Sequence, residues 1–259
     1  WLLKCNPDLS GLITDRIGDA WKTDLFLLEK IRDFAEDAEF GVAWRAAKKA
    51  NKERLSIYSR RTTGIDIDPE SMLDCLVKRF HEYKRQHLKL LHVIDLYLRI
   101  QDDPGAEIFP RTVLFGGKAA PDYTMAKRII RLINDVAKVV NADERMKGRL
   151  NVLFLPDYRV SLAERIIPAA DLSEQISTAG REASGTGNMK FALNGALTIG
   201  TLDGANIEIC DAVGKENMFL FGLTSDEVTD AREGYDPRAL VEGNPRLKRI
   251  LDLIGGGFF

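Results

Sequence analysis

Cysteine is scarce in this chain. Cys5, Cys75 and Cys210 are the only three in 259 residues, they lie far apart, and none forms a C-x-x-C pair. That pattern provides no thiolate metal site and fits a reducing, cytoplasmic setting. Histidine is equally sparse, at three. His87 and His92 are five apart and no H-E-x-x-H occurs, which removes the zinc-hydrolase helix. G-x-x-x-x-G-K-[ST] and G-x-S-x-G are both missing, so Gly116-Gly117-Lys118 is no nucleotide phosphate loop and there is no serine elbow. Gly185-x-Gly187 lacks the third glycine of a dinucleotide fingerprint. No apolar run approaches the ~18–20 residues of a membrane span. The formal charge of −2 lacks the basic excess of a nucleic-acid binder. Solenoid repeats and low-complexity tracts are also missing.

What is present is an ordinary globular composition, 45% hydrophobic, in a chain long enough for one large domain or two small ones. The first residue is Trp1, and Gly255-Gly256-Gly257-Phe258-Phe259 closes the chain without a terminal helix or polar tail. Both ends are those expected of a piece cut from a longer protein. Residues 1 to about 60 read as helical; Asp24–Ala50 in particular is rich in Leu, Ala, Glu, Lys and Arg at helical spacing. Arg60–Glu70 reads as a connector with turn chemistry. From there the pattern alternates. Met72–Val77 reads as a strand, Lys78–Arg85 as a basic junction, and Leu90, Ile94 and Tyr97 recur at helical spacing. Thr112–Phe115 reads as a second strand, Gly116–Pro121 as a turn, Met125–Val140 as a helix and Asn151–Leu155 as a third strand. Residues 160–181 are less regular. Leu197–Gly200, Ile207–Cys210 and Phe219–Phe221 are short apolar runs, and the polar tail from Thr224 is hard to assign. Strands alternating with helices predict an α/β fold whose parallel sheet is covered on both faces. In such sheets ligands bind outside the carboxyl ends of the strands, where the unusual residues of this chain fall.

The densest chemical signal is Glu182-Ala183-Ser184-Gly185-Thr186-Gly187-Asn188-Met189-Lys190. Ser184–Asn188 reads as a loop whose backbone N–H groups can converge, feeding a helix start, a natural phosphate cradle. Lys190 stands one turn further on, between Met189 and Phe191, a position suited to a Schiff-base lysine. A phosphate cradle beside a buried lysine is what pyridoxal phosphate needs. Lys78 and Arg79, at the end of a strand, suit a phosphate dianion, with arginine able to bind it bidentately. Blander readings stand beside these. A run such as Lys84-Arg85 is most often a solvated face, and a lysine is most often exposed and inert. Glu182 and Asp203 read equally as helix caps or buried, satisfied acids, Asp203-Gly204 as a turn, and Trp1 as core.

Glu182–Lys190, continuing through Phe191-Ala192-Leu193-Asn194-Gly195-Ala196 to Asp203-Gly204-Ala205-Asn206, closely resembles the pyridoxal-phosphate site of the α-glucan phosphorylases of glycogen, starch and maltodextrin. Lys78-Arg79-x-His81-Glu82-Tyr83-Lys84-Arg85-Gln86, Gly116–Pro121 and Leu155-Pro156-Asp157-Tyr158-x-Val160-Ser161 resemble the same family, in the family's order. The resemblance covers essentially the whole chain. It implies a Rossmann-like core at 71–222 after a largely helical lead-in at 1–60. It also implies that residues 1–259 are part of the C-terminal, cofactor-binding half of a GT-B glycosyltransferase fold, truncated at both ends. The implied reaction is phosphorolysis of an α-1,4-glucan end by inorganic phosphate, giving α-glucose 1-phosphate with retention. In it the 5′-phosphate of pyridoxal phosphate relays the proton.

The resemblance also assigns residues. Lys190 matches the lysine that holds pyridoxal as a Schiff base. Lys78 and Arg159, with Gly185, Thr186 and Gly187, match the groups on the cofactor phosphate. Arg79, Lys84 and Thr186 match those on the substrate phosphate. Glu182, Ser184 and Gly185 match sugar contacts, with Tyr83 a further one. Trp1 and Tyr158 match positions near the cofactor. A homodimer of the full-length protein is implied as well. Two other readings stay open. One is a non-catalytic module that binds pyridoxal phosphate or phosphate. The other is a nucleotide-sugar glycosyltransferase of similar architecture, which the lysine in its glycine context disfavours.

Overall fold

The computed structural model describes all residues from Trp1 to Phe259. Helices α1 (Leu2–Cys5), α2 (Pro7–Ile17) and α3 (Ala38–Thr63) precede the sheet. Then follow β1 (Met72–Val77), α4 (Gln86–Asp102), β2 (Arg111–Gly116), α5 (Thr124–Ala142) and β3 (Leu150–Leu155). The second half runs α6 (Val160–Ala169), β4 (Leu172–Gln175), α7 (Gly187–Leu193), β5 (Leu197–Gly200), α8 (Asn206–Val213) and β6 (Phe219–Leu220). Short helices α9 (Ser225–Asp230) and α10 (Pro237–Glu242) lead to α11 (Pro245–Gly255).

All six strands are parallel, in the order β3-β2-β1-β4-β5-β6. This is the doubly wound α/β fold expected from the alternation, and the strand order reverses between β1 and β4. Strand residues divide between the two faces with period two. Leu73, Cys75, Val77, Leu114, Leu153 and Leu155 pack with Leu55 of α3 and Leu162 and Ile166 of α6. Leu76, Val113, Phe115 and Val152 pack on the other face, against Ile94 of α4 and Ile133 of α5. Over β1, β2 and β3 both faces are covered mainly by apolar side chains, which is why these strands read as near-continuous hydrophobic runs.

The structure departs from the expected elements in four places. Asp24–Ala50 is not one helix: a 3-10 segment, Leu25–Phe34, stops before Asp37, whose carboxylate accepts the N–H groups of Glu39 and Phe40 and so starts α3 anew. The irregular stretch 160–181 contains α6 and β4. Ile207–Cys210 belongs to α8 rather than to an extended run. The tail contains three helices, and α11 reaches almost to the end of the chain.

Candidate functional site

The chain leaves β1 at Val77 and β4 at Gln175, on either side of the switch point. Lys78 follows β1 directly and donates from Nζ to Gln175 Oε1 at 2.9 Å, joining the two strand ends. Close approach of β2 fixes this junction. At Gly117 a Cβ would lie 2.1 Å from the Lys78 carbonyl oxygen and 2.8 Å from the Phe80 ring, so only glycine fits. Outside these strand ends lies a cavity of about 510 Å³. Its wall includes Trp1, Lys78, Arg79, Lys84, Lys118, Tyr158, Arg159, Glu182, Ser184, Gly185, Thr186, Gly187, Lys190 and Asp203. A larger hollow of about 1050 Å³ opens at the amino ends of the strands, beside Arg60, Asp66, Arg111 and Lys147, with cations and acids interleaved.

Charge sets the smaller cavity apart. Six cationic side chains, Lys78, Arg79, Lys84, Lys118, Arg159 and Lys190, face only two carboxylates, Glu182 and Asp203. Lys84 pairs with Glu182, while Lys118 and Arg159 pair with Asp157 at the rim. Lys78, Arg79 and Lys190 have no acid partner. Burial, and then the neighbouring Lys84 cation, pushes Lys78 down to about 8. An ammonium kept charged there calls for an anion. Burial is the largest single influence on Lys84 and lowers it, but hydrogen bonding and charge attraction from Glu182 and Tyr83 together outweigh it and raise it. Burial drives the Tyr158 phenol up to about 12, so it stays protonated.

The loop before α7 supplies donors. Gly185 takes φ +86°, and the backbone N–H groups of Gly185, Thr186 and Gly187 donate to no protein acceptor. Nothing lies within 4 Å of where a Gly187 Cβ would stand, so the loop borders open space. Lys190 is half-buried rather than buried: Met189 is turned to solvent and Phe191 fills the core at 1% exposure. Its Nζ lies 4.8 Å from the centroid of the Trp1 ring, which is partly exposed and borders the cavity instead of filling the core. The arrangement of cations, free N–H groups and flat aromatic walls can hold anionic groups close together beside a reactive amine.

One sequence-predicted residue is not brought into the wall. Tyr83 packs against His81, its ring tilted by 52° at 4.6 Å between centroids, with Lys84 Nζ 4.9 Å from its ring centre. Lys118, Gln175, Ser177 and Asn188 line the cavity without having been singled out for roles. The Gly-Gly-Lys turn after β2 could have pointed to Lys118. Gln175 lay in a stretch with no legible strand, and Asn188 points inward to Asn206 Oδ1 at 3.0 Å.

A family model for carbohydrate phosphorylase matches residues 1–259. Glycogen phosphorylase of Chlamydia pneumoniae is 54% identical over 259 residues, covering all of this chain and 31% of the relative. Glycogen phosphorylase of Synechocystis sp. is 55% identical over 260 residues, again over the whole chain and 31% of its own length. The liver form of glycogen phosphorylase from Homo sapiens is 53% identical over 260 residues, with the same coverage. The chain therefore spans about a third of the length of these relatives.

Proposed function

This chain belongs to the carbohydrate phosphorylase family, and from that membership we propose that the full-length protein cleaves α-1,4-glucan ends with inorganic phosphate, releasing α-glucose 1-phosphate. The observation that carries the reading is the excess of cations at the switch point: three without an acid partner, beside three unused backbone N–H groups. Phosphorolysis with a phosphate-bearing cofactor needs two phosphate dianions side by side, and an uncompensated cationic cavity is what such a pair requires. Residues 1–60 are the helical lead-in and 71–222 the Rossmann-like core of the cofactor half.

Pyridoxal 5′-phosphate is the cofactor of this reading, and the residues present fit it. Lys190 supplies the amine, with the Trp1 ring over it, and Tyr158 gives a wall that stays neutral and protonated. When bound, the cofactor supplies a phosphate monoester whose second pKa of about 6 suits proton movement at neutral pH. Lys78, Arg159 and the N–H groups of Gly185, Thr186 and Gly187 bind that phosphate. Arg79 and Lys84, with Thr186, bind and orient the substrate phosphate. Glu182, Ser184 and Gly185 take the sugar hydroxyls, and Tyr83 becomes a further sugar contact only by turning from its place on His81. Holding reactants in register in this way is worth on the order of 7–11 kcal/mol of barrier in favourable cases.

Inorganic phosphate and the glucan are the partners, and the full-length protein is a homodimer in this reading. No helix is long and apolar enough to cross a membrane. Three unpaired cysteines support a cytoplasmic location. The test is direct: the full-length protein, given a maltooligosaccharide and phosphate, releases glucose 1-phosphate. Release of free glucose alone would contradict the proposal.

A further inference from the structure

Asp203 is a buried carboxylate, 3% exposed, that forms no ion pair, although Lys78 and Arg85 are near enough to feel its charge. Its lone pairs are filled by one short segment of backbone and a single hydroxyl. Oδ1 accepts the N–H groups of Gly180 at 2.9 Å, Arg181 at 3.2 Å and Glu182 at 3.2 Å. Oδ2 accepts the Glu182 N–H at 3.0 Å and the Ser177 hydroxyl at 2.5 Å. These bonds cross 21 to 26 residues of sequence, so they are neither a cap nor a local turn. A buried carboxylate is tolerated only when hydrogen bonds replace its water, and here all three consecutive N–H groups go to this one side chain.

The support around Asp203 is rigid. Asn206 Nδ2 donates to the carbonyls of Gln175 and Thr201, both at 3.0 Å, and the Thr201 hydroxyl donates to the Ser177 carbonyl at 2.6 Å. Gly204, at φ +52°, lies so close to the Ser184 carbonyl that a Cβ would stand 2.5 Å from its oxygen. The Ala205 N–H donates to that same oxygen at 2.7 Å. On the other side, Arg85 donates to the Ile176 carbonyl at 2.6 Å, and the Thr178 N–H to the Tyr83 carbonyl at 2.8 Å. Both ends of the 176–184 segment are thus tied by backbone. Its middle, which carries Glu182, is tied by Asp203.

We propose that Asp203 is the positioning residue for Glu182: it holds residues 180–182 so that the Glu182 carboxylate faces Lys84 and the cavity. The segment-holding role stands on geometry alone, while the consequence for sugar recognition rests on the phosphorylase reading. Glu182 and Lys84 form an ion pair at the cavity wall, so a displaced Glu182 weakens the sugar side while leaving Lys84 free for phosphate. Loss of Asp203 therefore separates the two substrates, which general loosening of the site does not do.

The experiment uses the full-length protein with Asp203→Ala and Asp203→Asn. Amide hydrogen exchange in the peptide covering residues 178–184 is expected to speed up about tenfold in the alanine variant and less in the asparagine variant, which keeps one acceptor. In phosphorolysis, the KM for glucan is expected to rise about fivefold with no rise in the KM for phosphate. Unchanged exchange in 178–184, or parallel rises in both KM values, would overturn the proposal. If the alanine variant does not fold, Ser177→Ala removes one bond to the same carboxylate, and faster exchange in the same peptide is required of it. A wild-type protein that releases no glucose 1-phosphate would refute the functional reading, and the exchange result would still decide whether Asp203 holds the segment.

Discussion

The Lys78 ammonium makes one hydrogen bond within the protein, 2.9 Å to Gln175 Oε1, across the point where the sheet reverses its order. A cation tied only to a neutral amide is badly compensated, and burial pushes it down to about 8. In the unfolded chain a lysine titrates near 10.4. The unfolded state therefore binds the proton more tightly, and the penalty on folding is fully present below about 8 and fades as pH rises towards the unfolded value. Lys78→Met should make the cofactor-free full-length protein more stable at pH 7 in an anion-poor buffer, with the advantage shrinking as pH rises past 8. Denaturation midpoints of both proteins across that range check it; an advantage that does not change with pH would contradict it.

A second buried network tests the sheet itself. Lys89 of α4 lies 2.5 Å from both Asp74 of β1 and Glu174 of β4, with Arg111 2.9 Å from Asp74. Lys89, Asp74 and Glu174 are each under 5% exposed, and Arg111 closes the network from a half-buried position. Lys89→Met leaves two carboxylates facing each other in the interior, and should cost about 3–5 kcal/mol. Chemical denaturation reads this directly. Burial, and then Asp74, pushes Glu174 up to about 7. Its contribution to stability is therefore largest below the ordinary carboxylate range and is lost as pH rises through 7. Glu174→Gln should flatten the pH dependence of stability between the ordinary glutamate value of about 4.3 and the raised value of about 7.

Much of this architecture was legible in the residues, and the gaps have physical causes. β1, β2 and β3 are runs of apolar side chains buried on two faces, and they stand out. β4 did not, because Leu172-Ser173-Glu174-Gln175 is polar for local reasons: Glu174 answers Lys89, Gln175 answers Lys78, and the Ser173 hydroxyl accepts from the Gln175 amide at 2.9 Å. A central strand was hidden by the chemistry it positions. α6 fell in the same unread stretch, although Leu162, Ile166 and Ile167 carry its buried face. In the site, cations just after β1 were readable from position alone. Asp203 reads from sequence as a helix cap, a satisfied acid or the start of a turn; its backbone does open a turn, accepting the Asn206 N–H at 3.2 Å, and its side chain is a satisfied acid whose donors lie 21 residues and more away, which no local pattern reveals.

Lys190 and Arg79 should separate cleanly. Lys190→Ala in the full-length protein removes the amine and should abolish covalent cofactor attachment, seen as loss of the mass increment after borohydride reduction. Arg79→Ala should retain the increment and lose phosphorolysis, by about 10²–10³ if arginine acts as a donor to the developing charge. Normal phosphorolysis in the arginine variant would refute its assigned role.

The 259-residue chain by itself should show little or no phosphorolysis. It spans 31% of its relatives, and one wall of a site can bind an anion without excluding water or orienting a sugar. Production of glucose 1-phosphate by the purified chain at a rate near that of the full-length protein would contradict this.

The central claim is that Lys190 holds the cofactor, and intact-mass measurement of the full-length protein after borohydride reduction, followed by peptide mapping, tests it most directly. The account predicts one reduced pyridoxal phosphate per chain, on the peptide containing Lys190. An unmodified Lys190, or a cofactor fixed to a different lysine, would contradict it.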